Sequence, residues 1–332
     1  RLRTVTGVQT CALPICWKTL KSIMQPTTHL WMMTGTPASQ SPADAYGLAK
    51  LVNPDGVPKF FTSWRDQVMH KITMFKWAAK PNAAEIVHQA LQPAIRYTKE
   101  QCLDLPPVMT MTREVPLTPQ QKKYYDLLKE RMLVQAAGET ITAVNAAAGV
   151  SKLLQISCGA AYTDDKEVVE FDAAPRLGVL EEILEETSRK VLIFAMFRST
   201  IDSIHTHLTK QGLTAEMIHG GVTATKRADI IHRFQTSPNP RVLVMQPQAT
   251  AHGITLTAAD TVVFWGPVMS VETYLQCCAR TDRVGQTSNK VTVVHIEGSE
   301  LEKKMFKKLA SRVDDHAVLV KLYEEELAVE KT

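Results

Sequence analysis

The chain has 332 residues, 45% of them apolar and 22% charged, with a mean hydropathy of −0.10. That composition can bury a core and excludes wholesale disorder, while the length fits two domains better than one. A net charge of +4 permits a polyanionic partner without demanding one, and no uncharged apolar run approaches the ~20 residues of a membrane-spanning helix.

Six cysteines, none in a Cys-x-x-Cys pair, argue against zinc and against disulfide stapling. Cys277 and Cys278 are adjacent on a predicted helix, where neighbours point in different directions, so they read as packing residues. His205 and His207 fail as a helical metal pair for a similar reason.

Residues 1–16 show no helical or strand periodicity and no secretory apolar stretch. The run 5–15, VTGVQTCALPI, resembles the translation of a sequencing-library adapter, so it is expected to be foreign, with the genuine sequence starting near Cys16 or Trp17. A predicted strand at 29–33 leads into Thr34-Gly35-Thr36-Pro37, then helices at 43–51 and 83–92, the second announced by Asn82 and Glu85. One strand cannot make a sheet, so residues 17–105 are expected to form an incomplete, poorly packed domain. An extended connector at 105–117, marked by Pro106, Pro107 and Pro116, precedes a helix from Thr118-Pro119-Gln120-Gln121 to about 135 and another at 143–158. Residues 106–174 therefore read as a connector and helical insertion.

From residue 190 onward, β-rich runs alternate with amphipathic stretches, the signature of a parallel sheet covered by helices. Strands are predicted at 190–195, 215–219, 241–245, 261–265 and 290–297, and helices at 200–211, 224–235, 271–281 and 300–313. Thr223 and Ser270 are candidate N-caps; Ser299 with Glu302 fits a capping box, and Ser199 with Asp202 a looser one. Right-handed crossovers make residues 175–315 a doubly wound α/β lobe with its ligand edge at the carboxyl ends of the strands, followed by a tail at 316–332.

The most informative string is Gln276-Cys277-Cys278-Ala279-Arg280-Thr281-Asp282-Arg283-Val284-Gly285-Gln286. If the helix continues through it, Gln276, Arg280 and Arg283 share one face. Permanently charged, planar guanidinium groups suit charge stabilisation on a transferring phosphoryl group. The same spacing also serves helix-dipole complementation or buried ion pairs, and the spacing alone leaves both readings open. The basic face Lys303, Lys304, Lys307 and Lys308 reads as solvated.

This string resembles motif VI of the SWI/SNF-type DNA-dependent ATPases of helicase superfamily two, and other blocks follow in family order. Thr34-Gly35-Thr36-Pro37 resembles motif III, and residues 95–100 with Leu105-Pro106 resemble the connector. Residues 191–197 resemble motif IV, His219-Gly220 with Arg227 and Phe234 the next block, and 242–256 motif V. Motif V departs from Gly-x-Gly-x-Asn-Leu, reading Ala251-His252-Gly253-Ile254-Thr255-Leu256. The stretch 270–276 is more like phage and prophage members than eukaryotic remodellers, which would put the protein in the cytoplasm of a bacterial host.

The resemblance implies an α/β fold with a complete second RecA-like lobe, a helical insertion and an incomplete first RecA-like lobe. It implies an ATP-driven translocase of double-stranded DNA, with no strand separation required and no membrane involved. Arg280 and Arg283 would be arginine fingers, with Gln276 and Gly253 at the nucleotide. Thr34, Gly35 and Thr36 would couple nucleotide state to the DNA track, and Gly220, Thr223, Arg227, Thr250 and Thr255 would hold DNA phosphates. No Gly-x-x-x-x-Gly-Lys-Ser/Thr loop and no Asp-Glu-x-His box occur in the sequence. The main ligands of ATP and magnesium are thus expected in a part of the parent upstream of this chain, which alone is expected not to hydrolyse ATP. The alternative is a non-enzymatic lobe that docks on DNA or protein; an RNA helicase fits less well with the Gly285-Gln286 ending and the long helical bridge.

Overall fold

The computed structural model describes residues 20, 22–25, 28–33, 38, 41–73, 77–93, 103–138, 143–163, 165, 167–250 and 254–310, without the side chains of 132–138, 143–146 and 250. The adapter-like run and the tail lie outside them. The chain divides into two compact units, Arg1–Thr98 and Lys99–Thr332.

In the first unit, a 3-10 turn at Pro42–Asp44 opens α1 (Ala45–Val52), and α2 (Phe61–Val68) leads into an antiparallel hairpin, β1 (Met69–Lys71) and β2 (Trp77–Ala79), before α3 (Ala83–Ala90). Ser41 N–H donates to Asp44 Oδ2 at 2.8 Å, closing the first turn as a capping box does. Buried Ala83, Val87 and Ala90 recur at helical spacing and join Ala45, Ala49, Trp64 and Val68 in one core. Tyr46 Oη donates to Lys59 O at 2.8 Å, and the Arg65 guanidinium lies 3.9 Å from the Trp77 ring centroid. The expectation of poor packing is therefore corrected: short helices and a hairpin enclose a core of their own. Residues 28–33 are not a strand, and Trp31 and Met33 are 83% and 97% exposed. The apolar run has strand-like composition but no paired strand among the described residues. Asn82 precedes α3 but makes no side-chain cap.

The second unit is built on a six-stranded, wholly parallel sheet in the order β3-β10-β9-β6-β8-β7. Its strands are β3 (Val108–Glu114), β6 (Lys190–Phe194), β7 (Ala215–Ile218), β8 (Val242–Met245), β9 (Ala259–Phe264) and β10 (Val291–Glu297). Alternation sends Val191, Ile193, Val242, Val244 and Val263 into one core and Leu192, Phe194, Leu243, Met245 and Phe264 into the other. That is why these strands read as unbroken apolar runs. The crossovers are α7 (Arg198–Lys210), α8 (Ala224–Thr236), α9 (Pro247–Thr250) and α10 (Val271–Cys278), and α11 (Glu300–Ala310) follows β10.

Between β3 and β6 come α4 (Pro119–Gly138), α5 (Ala143–Ser157), an antiparallel hairpin of β4 (Ala160–Tyr162) and β5 (Val168–Glu170), and α6 (Ala174–Glu186). Gln121 Oε1 accepts from Thr118 N–H at 3.0 Å and Gln121 N–H donates to Thr118 Oγ1 at 3.3 Å, the expected capping box. Two expectations change here. The expected connector holds β3, which pairs with β10 along its full length; its exposed, Thr-rich sequence lacks the apolar run of an inner strand because it is the edge. The insertion is also no separate body, since Tyr125, Val150, Leu153 and Leu154 share a core with Leu301 and Met305 of α11. The Ser199–Asp202 cap does not form either: Phe197 occupies the N-cap of α7, and Asp202 lies 3.9 Å from Arg198.

Candidate functional site

Residues proposed for the site separate onto opposite rims of the sheet. The crossover α10 leaves the carboxyl rim after β9 and must return the chain to the amino rim before β10 begins; its eight residues span about 12 Å. Arg280 and Arg283 therefore lie on the amino rim, contrary to the expectation of the carboxyl edge. The helix ends at Cys278, so the two arginines occupy the turn beyond it and share no helical face with Gln276. Gln276 Nε2 instead donates to Glu272 Oε1 one turn back, at 3.0 Å.

Arg280 is buried and donates from Nη1 to Ile254 O at 2.8 Å, while its own carbonyl accepts from Leu256 N–H at 2.9 Å. Arg283 is half-buried and donates from Nε to Ala279 O at 2.8 Å and from Nη1 to Thr255 Oγ1 at 3.3 Å. Gln286 Nε2 fastens the turn by donating to Ala259 O at 2.9 Å and Thr281 O at 3.0 Å, and Ala259 is the first residue of β9. Burial, and then the neighbouring charge of Arg283, bring the Arg280 pKa down to about 10. The turn thus gathers two guanidinium groups, one buried and one half-buried, within two adjoining stretches of backbone.

The carboxyl rim collects the other candidates. Gly220 is exposed, and its N–H donates to Gln246 Oε1 at 3.4 Å. Thr223 Oγ1 caps α8 by accepting from Lys226 N–H, and Ser270 Oγ caps α10 by accepting from Thr273 N–H. Arg227 turns its guanidinium inward, donating to Ala249 O at 3.2 Å and Val222 O at 3.3 Å. Thr250 ends α9. Thr255, expected on the DNA track, sits with the arginines instead, because residues 254–256 have already reached the amino end of β9. Thr34, Gly35, Thr36 and Gly253 lie outside the described residues.

A buried polar hub fixes the carboxyl ends of β9 and β10. Arg176 and Glu302, 4% and 0% exposed, pair at 2.7 Å, and Arg176 also donates to Ser157 O at 2.6 Å and Ile296 O at 2.9 Å. Burial works against the guanidinium, but Glu302 beside it holds its pKa above the ordinary value. Glu302 Oε2 accepts from Gly298 and Ser299 N–H, completing the predicted box of α11. Sequence reading gave no role to Arg176, Gln246 or Gln286. A polar residue directly after the buried VLVM of β8 was the available signal for Gln246. Among the described residues no three His, Cys, Asp or Glu side chains converge as a metal site, and Cys277 is buried in the core.

A parallel sheet with helices on both faces defines a doubly wound α/β lobe. A model of the SNF2-related domain matches residues 16–159, and a model of the helicase conserved C-terminal domain matches residues 175–285. Together these matches span most of the chain, and their order is that of the SWI2/SNF2 family of helicase superfamily two ATPases, to which the chain is similar. A mouse chromodomain-helicase-DNA-binding protein 1-like is 26% identical over 85% of the chain, and the match covers 32% of that relative. The chain spans about a third or less of the curated relatives it matches first. The C-terminal part of the Fun30 ATPase domain aligns with a TM-score of 0.56 at 16% identity, over 69% of this chain and 99% of that one. The Sulfolobus solfataricus SWI2/SNF2 ATPase core in complex with dsDNA aligns with a TM-score of 0.54 at 22% identity, over 86% and 62%. The fold is thus that of SNF2 ATPase RecA-like lobes.

Proposed function

We propose that this chain is the motif III to motif VI part of an ATP-driven double-stranded DNA translocase, with Arg280 and Arg283 acting as arginine fingers. The observation that carries this reading is the amino-rim turn, which gathers two guanidinium groups on the carbonyls of Ile254 and Ala279 and the hydroxyl of Thr255. These groups fit a polyphosphate anion, whose bound form would supply the phosphoryl group to be transferred. Arg283 would donate to its oxygens, and Arg280, from its buried position, would keep the local potential positive. The sequence has no Gly-x-x-x-x-Gly-Lys-Ser/Thr loop, so ATP and Mg would be held mainly by a lobe that carries one.

On the other rim, exposed Gly220 and Thr223 would meet duplex phosphates, with positioning contacts that read no sequence. The likeness to the Sulfolobus ATPase core, which is seen in complex with dsDNA, supports duplex DNA as the partner. The phage-like stretch 270–276 supports a phage-encoded protein acting in a bacterial cytoplasm, which neighbouring genes would test.

Phosphate release by this chain should be absent with or without duplex DNA. DNA-stimulated release that vanished in Arg283→Ala would overturn that expectation. Where the parent's phosphate-binding lobe is present, Arg283→Ala should cut turnover by about 10³–10⁵, the contribution of finger residues in related transfers. Unchanged turnover would remove Arg283 from the mechanism.

A further inference from the structure

Three loops meet at the carboxyl rim, and Gln246 touches them all. Its side chain accepts from Gly220 N–H after β7 and donates from Nε2 to Met196 O after β6 at 3.3 Å. Its own N–H donates to Ile218 O at 2.8 Å, and its carbonyl accepts from Ala249 N–H at 3.0 Å. Arg227 makes a second stitch one layer away, spanning Val222 O in the loop after β7 and Ala249 O in α9.

Two of the five N–H donors of the Arg227 guanidinium make this stitch. Its Nε is buried without an acceptor, both terminal nitrogens face carbonyls, and no carboxylate among the described residues pairs with it. A carbonyl accepts a hydrogen bond without cancelling the charge, so the cation remains uncompensated behind an exposed loop. The loop itself is tight: Gly221 N–H donates to His219 Nδ1 at 3.0 Å, and a Cβ on Gly221 would sit 3.0 Å from His219 Cε1. Val222 N–H closes the turn on His219 O at 3.0 Å, and the two stitches tie that turn to the neighbouring loops.

We infer that Arg227 and Gln246 are positioning residues that rivet the 220–223 loop to the Pro247–Thr250 turn, and that neither side chain itself meets the DNA phosphates. The inference rests on the duplex-DNA reading and changes the role of Arg227 from contact to support. Its chemistry separates the two roles. A lysine keeps the charge but is a point donor that cannot span two carbonyls as a planar fork does. A direct phosphate contact contributes to the salt dependence of binding, whereas a support does not.

The test uses the full chain and a fluorescent DNA duplex, with anisotropy followed across salt concentrations well below the unfolding temperature of each variant. Amide hydrogen exchange of residues 219–223 is followed in the same proteins without DNA. Arg227→Lys, Arg227→Ala and Gln246→Leu should each bind roughly tenfold more weakly, the size of one or two charge-assisted hydrogen bonds. All should keep the parent salt slope and exchange faster in the loop. Wild-type affinity in Arg227→Lys, with a slope lower by about one in Arg227→Ala, would make Arg227 a phosphate contact and overturn the inference. Unchanged loop exchange in Arg227→Lys and Gln246→Leu would overturn it irrespective of DNA. Failure of the unsubstituted chain to bind the duplex, with loop exchange responding as expected, would instead remove the DNA reading and leave two loop-bracing residues.

Discussion

The two rims of the sheet are held by different physics. At the carboxyl rim, buried or half-buried side chains tie loops from separate strands together: Arg176 with Glu302, Gln246 across three loops, Arg227 across two. At the amino rim, Arg280 and Arg283 hang from backbone carbonyls and repel each other. The rule that ligands bind at the carboxyl ends of a parallel sheet describes a sheet gripping its own ligand. The direction of α10 puts the arginines on the other rim, where the proposed function has them complete a neighbour's site.

The sharpest test of this contrast pairs one arginine from each rim. Arg176→Met leaves Glu302 fully buried without its cation, and should cost about 3–5 kcal/mol in urea unfolding, as breaking a buried ion pair does. Arg283→Met removes a half-buried group whose partners are a carbonyl and a hydroxyl that water can replace, and should cost about 1 kcal/mol or less. Equal losses would break the distinction. Removing both ends of the hub, in Arg176→Met with Glu302→Leu, should recover only part of the loss, because Gly298 and Ser299 N–H would lose their acceptor.

A somewhat smaller effect comes from the core between the rims. His295 of β10 is 3% exposed, stacks on Phe306 with centroids 4.1 Å apart and shares a 3.0 Å hydrogen bond with Tyr274 Oη. Burial lowers its pKa from 6.5 to about 4. Between those values the unfolded chain binds a proton that the folded chain refuses. This contribution to stability is therefore full above about pH 6.5 and falls as the pH drops towards 4, by at most roughly 1.4 kcal/mol per unit. Unfolding midpoints of the chain and of His295→Phe, measured from pH 7 to 4, should converge in acid; parallel curves would show that this imidazole does not couple to folding.

The sheet was legible in the sequence because its inner strands are apolar on both faces, and Thr118, Thr223, Ser270 and Ser299 cap their helices as their side chains predict. The edge strand β3 was not, since exposure removes the apolar run that marks its neighbours. The arginines were identifiable by type, but not by rim: whether the helix runs on from Cys278 through Arg283 decides whether Gln276, Arg280 and Arg283 share a face, and helix ends are the least legible feature. Arg176 and Glu302 are 126 residues apart, so nothing local announces their pairing. For Arg227 the resemblance implies a DNA phosphate contact, and sequence cannot show which way a guanidinium turns.

The smallest predicted effect isolates how the arginine turn is held. Gly285 has φ +96°, a conformation that side-chain-bearing residues rarely adopt, and it lies between Arg283 and Gln286. A Cβ there would lie 3.7 Å from Thr257 Oγ1, an ordinary contact, so Gly285→Ala should suffer only the backbone penalty of about 1 kcal/mol. The Gln286 amide, bonded to Ala259 O and Thr281 O, opposes relaxation of the turn. Gln286→Ala should therefore reduce the cost of the glycine substitution, by letting the backbone leave the left-handed region. A double-mutant cycle in urea unfolding measures that coupling. Strict additivity of the two losses would mean that Gln286 does not hold the turn, and that the amino rim is shaped by its backbone alone.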